Sequence, residues 1–251
     1  LPVINSSPTG TICSGIAQNY NFSSTISGSS YVWSRAAIAN ITNPVVSGQT
    51  GTNAITETLN SIVTSPVDVV YQIIPTANGC TGPTFNYTVT VKPIPATPTA
   101  TTAGPVCEGG VIQLSSPFLS TASYNWTGPG FTSTLREPQI ANATTANGGT
   151  YTVRITVDGC VSAGGTVSQT IKTKPAAPVV SNSSPVCIGE SFSLNTPIVI
   201  GASYTWTGPN GFNATDQQPA ITNAQSVNAG NYSLSISVDG CVSNPSTTNV
   251  I

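Results

Sequence analysis

Histidine and methionine are absent from this 251-residue chain, and Lys, Arg, Asp and Glu together make up only 6 % of it. Without histidine there is no Ser-His-Asp or Cys-His nucleophile and no His-ligated metal. Soluble proteins usually carry about 25 % charged residues, so Ser, Thr, Asn and Gln must make this surface polar. A net charge of −2 offers no basic footprint for nucleic acid or anionic lipid and little steering of any partner. Apolar runs approaching about 18 residues are missing, which argues against a membrane-inserted helix in this segment. The carboxylates are Glu57, Asp68, Glu108, Glu137, Asp158, Glu190, Asp216 and Asp239. No two lie close enough in sequence for a calcium loop, and a paired-carboxylate glycosidase site would need distant loops. Lys92, Lys172 and Lys174 fall at or beyond the last strand of a unit, which disfavours a lysine isopeptide crosslink. The residue set therefore predicts no catalytic residue, no cofactor and no metal, and a protein that is not an enzyme.

What the chain does have is an internal repeat. Residues 105–162 and 185–243 share Pro-Val-Cys, a Tyr-x-Trp-Thr-Gly-Pro segment and a closing Val-Asp-Gly-Cys-Val-Ser. Cys107 recurs as Cys187, Trp126 as Trp206, Tyr151 as Tyr232 and Cys160 as Cys241. A looser first copy carries Cys13, Tyr31-Val32-Trp33 and Asn78-Gly79-Cys80. A period of this size predicts a succession of whole domains, with function residing in the array as much as in one unit. Proline-rich joints at 92–98 and 174–178 separate them, giving expected domains at 1–95, 96–175 and 176–251. Proline keeps such joints extended and short.

The secondary-structure signal is that of strands. Residues 151–157 and 232–238 alternate apolar and polar, the period of a half-buried strand. Asp158-Gly159, Asp239-Gly240 and Asn78-Gly79 follow such runs, and these pairs favour two-residue hairpins because both residues tolerate positive φ. No segment has convincing helical periodicity. The fold class predicted is all-β, three tandem immunoglobulin-like antiparallel β-sandwiches arranged as a linear rod. Six cysteines, two per unit at matching places, predict disulfides and an oxidising compartment. Zinc would require closely spaced cysteine pairs or histidines.

An early strand, a mid-unit Trp and Gly149-Thr-Tyr151 or Gly230-Asn-Tyr232 opening a late strand resemble the immunoglobulin sandwich with its tyrosine corner. More narrowly, V-C-x-G…L…Y-x-W-T-G-P…G-x-Y…V-D-G-C-x-S is similar to the immunoglobulin-like repeats of very large surface proteins of gliding and related Bacteroidota. Residues 1–95, from Val32-Trp33-Ser34-Arg35 through Tyr71 to Gly79-Cys80 and Thr88–Pro93, resemble the PKD-like modules of the same proteins. The resemblance implies export by type IX secretion and display as part of an adhesin or stalk in gliding motility and cell adhesion. Leu1 is not a start methionine, and a mature piece of a longer secreted chain is expected.

Set against the immunoglobulin pattern, the cysteines are displaced. The positions of the core bridge are Ser116 and Val153, and Thr196 and Leu234 in the third unit. Cys107 lies well before the first strand and Cys160 well after the second. In that topology those strands run the same way, so the displacements add to roughly 50 Å, whereas a bridge needs Cα atoms about 5.5 Å apart. Two pairings are open. One bridge per unit would join Cys13–Cys80, Cys107–Cys160 and Cys187–Cys241. A staggered ladder would join Cys13–Cys160 and Cys107–Cys241, leaving Cys80 and Cys187 for modules outside this segment.

The Tyr-x-Trp pairs at Trp33, Trp126 and Trp206 suit core packing better than a sugar platform. Phe131 and Phe212 follow Thr-Gly-Pro turns and are the candidate contact loops, or else cap their own sandwiches. The function expected is a structural, adhesive stalk segment of a secreted cell-surface protein. Its partners would be an extracellular surface, a glycan or protein ligand, or neighbouring modules of the same chain. Two alternatives are glycan- or protein-binding modules accessory to a secreted enzyme, and a subunit of a self-associating filament.

Overall fold

The computed structural model describes residues 1–251 and is built of strands, with three single-turn 3₁₀ segments as its only helical structure. The strands group into three units, each around its own apolar cluster. The chain is thus a tandem of immunoglobulin-like sandwiches.

In the first unit the larger sheet runs, in spatial order, Thr9–Cys13, Phe85–Lys92, Val67–Ala77, Ser30–Arg35 and Val46–Thr50. Tyr20–Asn21 pairs with Ala54–Ile55 on the opposite face. Alternation along Val67–Ala77 buries Val69, Tyr71 and Ile73 between them, and Tyr87, Val89 and Val91 do the same one strand over.

The second and third units repeat one plan. One sheet holds Gln139–Ile140, Ile112–Ser115 and Thr101–Thr102, the other Phe131–Ser133, Ser123–Gly128, Gly149–Val157 and the Cys160–Val161 and Gly165–Gln169 pieces. In the third unit Ser181–Asn182, Phe192–Asn195 and Ala220–Ile221 form the first sheet. Asn213–Ala214, Ser203–Thr207, Gly230–Val238, Cys241–Val242 and Ser246–Val250 form the second. Trp126 lies opposite Val153 and Trp206 opposite Leu234 in register, and both indoles are fully buried. The Tyr151 hydroxyl donates to the Asn147 carbonyl at 2.8 Å, and the Tyr232 hydroxyl to that of Asn228 at 2.8 Å. These are tyrosine corners, with the phenol closing the turn that precedes its own strand. Glycine is required opposite each of these rings: a Cβ on Gly128 would lie 2.2 Å from Tyr151, and one on Gly208 2.4 Å from Tyr232.

The sandwiches are not wholly antiparallel. Thr9–Cys13 runs parallel to Phe85–Lys92, and Val106–Cys107 runs parallel to Ile171–Lys172. The first cysteine of each of these units therefore leaves its strand beside the C-terminal end of the last strand. No helix is long and apolar enough to cross a membrane.

Candidate functional site at the joints between units

Two local structures meet at each joint. The first is the two-residue hairpin ahead of the second cysteine. Asp158 and Gly159 have φ of 50° and 86°, and Asp239 and Gly240 have 51° and 83°. Only residues tolerant of the left-handed region fit such a turn. Cys160 pairs back to Val157, and Cys241 to Val238, so each thiol is presented at the entry end of its unit. The second structure is the parallel strand end just described, where Cys13 stands in register with Lys92 and Cys107 with Lys172.

The structure joins these halves. Cys13 is bonded to Cys160 and Cys107 to Cys241, each with Cα atoms 5.6 Å apart. Of the two pairings open to the sequence, this is the staggered one. Cys80 and Cys187 are free and exposed, whereas Cys160 and Cys241 are fully buried by the joints they close. Each disulfide is accompanied by a lysine contact. Lys92 Nζ donates to the Asp158 carbonyl at 3.0 Å, and Lys172 Nζ to the Asp239 carbonyl at 2.7 Å. An ammonium on a turn carbonyl is a charge-assisted bond of fixed direction, and it orients the hairpin on the strand end that the disulfide tethers. At the second joint Lys174 Nζ also reaches Asn244 Oδ1 at 2.7 Å. The lysine role is absent from a reading by residue type. Its signal lies in the period, since Lys92 and Lys172 both close a last strand beside a cysteine's strand.

The first unit holds a polar cluster that pattern reading also missed, although Arg35 and Glu57 were each in view. Arg35 Nε and a terminal guanidinium nitrogen donate to the two Glu57 carboxylate oxygens at 2.9 and 2.6 Å. The second fork is completed on the Pro44 and Ala36 carbonyls. The Tyr71 hydroxyl donates to Glu57 at 2.6 Å, and Gln18 Nε2 donates to that hydroxyl at 2.7 Å. The hydrogen bond to Glu57 holds the Arg35 guanidinium more firmly protonated. Burial first, then Glu57, pushes the Tyr71 phenol far above its usual range. Arg35 has no solvent-exposed side-chain surface and Glu57 keeps 16 % of its own, so the cluster serves to lock the core.

The remaining candidates sit as follows. Phe131 and Phe212 are half-buried, each edge-on to the corner tyrosine of its own unit, at 6.1 Å from Tyr151 and 5.3 Å from Tyr232. Trp33, Trp126 and Trp206 all lie in the cores, where they present no aromatic row to a sugar. No three His, Cys, Asp or Glu side chains gather where they could hold a metal ion.

No curated protein matches the chain. Among solved structures, the chain is similar to the chicken CNTN1 FN1–FN3 domains at 14 % identity, covering 100 % of this chain and 97 % of that one with a TM-score of 0.33. It is also similar to the mouse nectin-like molecule 4 ectodomain at 11 % identity, covering 98 % and 97 % with a TM-score of 0.33. Murine CEACAM1b matches at 19 % identity over 62 % of this chain and 99 % of that one, again with a TM-score of 0.33. Scores this low describe loose superpositions and carry nothing about how the units are arranged. Residues 10–95, which hold the Arg35 cluster and both cysteines of the first unit, match the family model of the PKD-like domain.

Proposed function

We propose that this chain is a load-bearing spacer in a secreted, cell-surface repeat protein, and that its working parts are the joints. The observation that carries this reading is that both bonded cysteine pairs cross from one unit to the next. A disulfide within a unit stabilises that unit; one across a joint removes the freedom of the joint. The sparing use of charge, the buried tryptophans and the inward-leaning Phe131 and Phe212 all favour spacing over ligand capture. The likeness of the repeats to surface proteins of gliding Bacteroidota supports display outside the cell after type IX secretion, as part of an adhesin. The domain borders belong in the proline-rich stretches at 92–98 and 174–178.

The connectivity has a mechanical consequence. Between the two staples, three lengths of chain run in parallel: residues 14–106, 107–160 and 161–240. The shortest caps the extension. Fully drawn out, residues 107–160 span roughly 190 Å, and neither of the longer lengths can pass that limit while the staples hold. Single-molecule pulling on Leu1 and Ile251 tests this. Oxidised chain should release far less length than reduced chain, in which all three units pay out in turn. Equal release in both states would sink the proposal.

A further inference from the structure

The second joint holds a groove of about 690 Å³. Its apolar walls come from both units: Ile171 packs on the core of the second, while Val199 and Ile236 belong with that of the third. Pro175 and Pro178 bound it along the linker. Concave, largely apolar cavities of roughly 300–1,000 Å³ between domains are the usual size and place of small-molecule sites.

The mouth of this groove is apolar where the first joint is polar. The Leu119 and Val199 amides donate to Tyr124 and Tyr204 at 3.0 and 2.9 Å, so Ile200 stands where the second unit has Ser120. Thr102 and Asn182 likewise pair with Leu114 and Leu194, which puts Val179 at the position of Thr99. Ile200 and Val179 both line the groove, yet they are 92 % and 73 % exposed. Apolar side chains left in water around one concavity mark a ligand-binding groove. The linker is also kept from sinking onto its strand. At the first joint the Pro98 carbonyl lies against Gly165, where a Cβ would come within 1.7 Å of its oxygen. Ser246 holds that place in the third unit, paired with Leu234 as Gly165 is with Val153, so Pro178 cannot make the same approach. Instead Thr196 Oγ1 donates to the Val179 carbonyl at 2.8 Å and holds the linker at the edge of the groove.

The lining also selects a chemistry. Lys172 and Asp239 are its only charged members and cancel, and the Lys172 ammonium is already engaged by the Asp239 carbonyl at 2.7 Å. An ionic ligand would find no free counter-charge. On the linker side the Ala176 and Ala177 amides have no acceptor within the chain. We propose that the groove at the second joint binds an uncharged, largely apolar small molecule that carries an oxygen acceptor. The site goes beyond the spacer reading and rests on it in one respect: its two walls keep their spacing while Cys107–Cys241 holds the joint.

The test titrates the oxidised full chain with Nile red, an uncharged apolar dye with a ring carbonyl that fluoresces in apolar surroundings. Saturation at one dye per chain is expected. Ala177→Trp, which fills the groove from the exposed linker, should weaken binding about tenfold or more. Phe118→Ser removes an exposed ring in the second unit outside the groove and should leave binding unchanged. Anilinonaphthalene sulfonate, similar in size but anionic, should bind more weakly than Nile red. Uptake that does not saturate, equal losses in the two variants, or tighter binding of the anion would overturn the inference. A chain carrying Cys107→Ser and Cys241→Ser should bind the dye several-fold more weakly, because its walls can part. Undiminished binding by that chain, still blocked by Ala177→Trp, would support the site and overturn the rigid joint instead.

Discussion

One tyrosine, at the same distance ahead of the second cysteine in each unit, is handled in two ways. In the second and third units Tyr151 and Tyr232 face Gly128 and Gly208 across the sheet, and each hydroxyl finds a backbone carbonyl in its own preceding turn. In the first unit the residue across from Tyr71 is Arg35. With a guanidinium where the others have no side chain, the phenol points instead at Glu57, both of whose carboxylate oxygens the arginine grips through one fork. The apolar frame is unchanged, since Trp33 lies opposite Ile73 as Trp126 lies opposite Val153. The same sandwich can therefore be closed by a neutral local hydrogen bond or by a buried ionic network reaching across the unit. The first is inexpensive to break. The second leaves a stranded charge when either partner is lost.

This contrast can be broken at its strongest point by Glu57→Ala, which leaves Arg35 buried without a counter-charge. Losing one member of a buried pair costs about 3–5 kcal/mol. Hydrogen exchange should show the first unit opening by that amount, with amides in Gly149–Val157 and Gly230–Val238 unmoved. An even loss across all three units would mean the units do not unfold separately. The next sharpening compares two identical substitutions. Tyr71→Phe removes a hydrogen bond to a carboxylate, worth about 1.5–3 kcal/mol, while Tyr151→Phe removes one to a neutral carbonyl, worth about 1 kcal/mol. Equal losses in urea unfolding would erase the distinction.

The smallest effect at ordinary pH, and a growing one in alkali, comes from the phenols. Tyr20 stacks on Tyr87 with ring centroids 3.5 Å apart. Burial, with Tyr87 adding to it, pushes the Tyr20 hydroxyl up to about 12, and burial also raises Tyr87 and Tyr71. The second and third units carry one raised phenol each, Tyr151 and Tyr232. A raised phenol favours the folded state while it is protonated. Its contribution is intact below the ordinary tyrosine range near pH 10 and is lost as pH rises through the folded value. The first unit should therefore unfold first as pH climbs from about 10 towards 12. Circular dichroism and tyrosinate absorbance, read with exchange protection by unit, would show it. Simultaneous loss of all three units would count against the contrast.

Much of this architecture was legible in the chain itself. Alternation along residues 151–157 and 232–238 marked strands because a two-residue period admits one buried face, and Asp-Gly and Asn-Gly marked the hairpins because few residues accept positive φ. The displacement of Cys107 and Cys160 from the usual bridge positions raised the staggered pairing, since covalent geometry forbids long reaches. The Arg35–Glu57 pair was not legible, because the two residues are 22 apart in sequence and meet only when the sheets fold over each other. Phe131 and Phe212 were ambiguous for a related reason: a residue after a turn can point either way, and the corner tyrosine beneath each ring decides.

The sequence by itself determined three strand-built units, their order and the displacement of their cysteines from the usual bridge positions, because periodicity, turn chemistry and residue spacing are local properties. Only the tertiary structure decided which thiols meet, that Lys92 and Lys172 sit on the turn carbonyls of the next unit, and that Tyr71 answers to Glu57. Each of those contacts joins residues distant in the chain. Their proximity is set by how sheets stack and how the last strand runs parallel to the first, which no local pattern encodes.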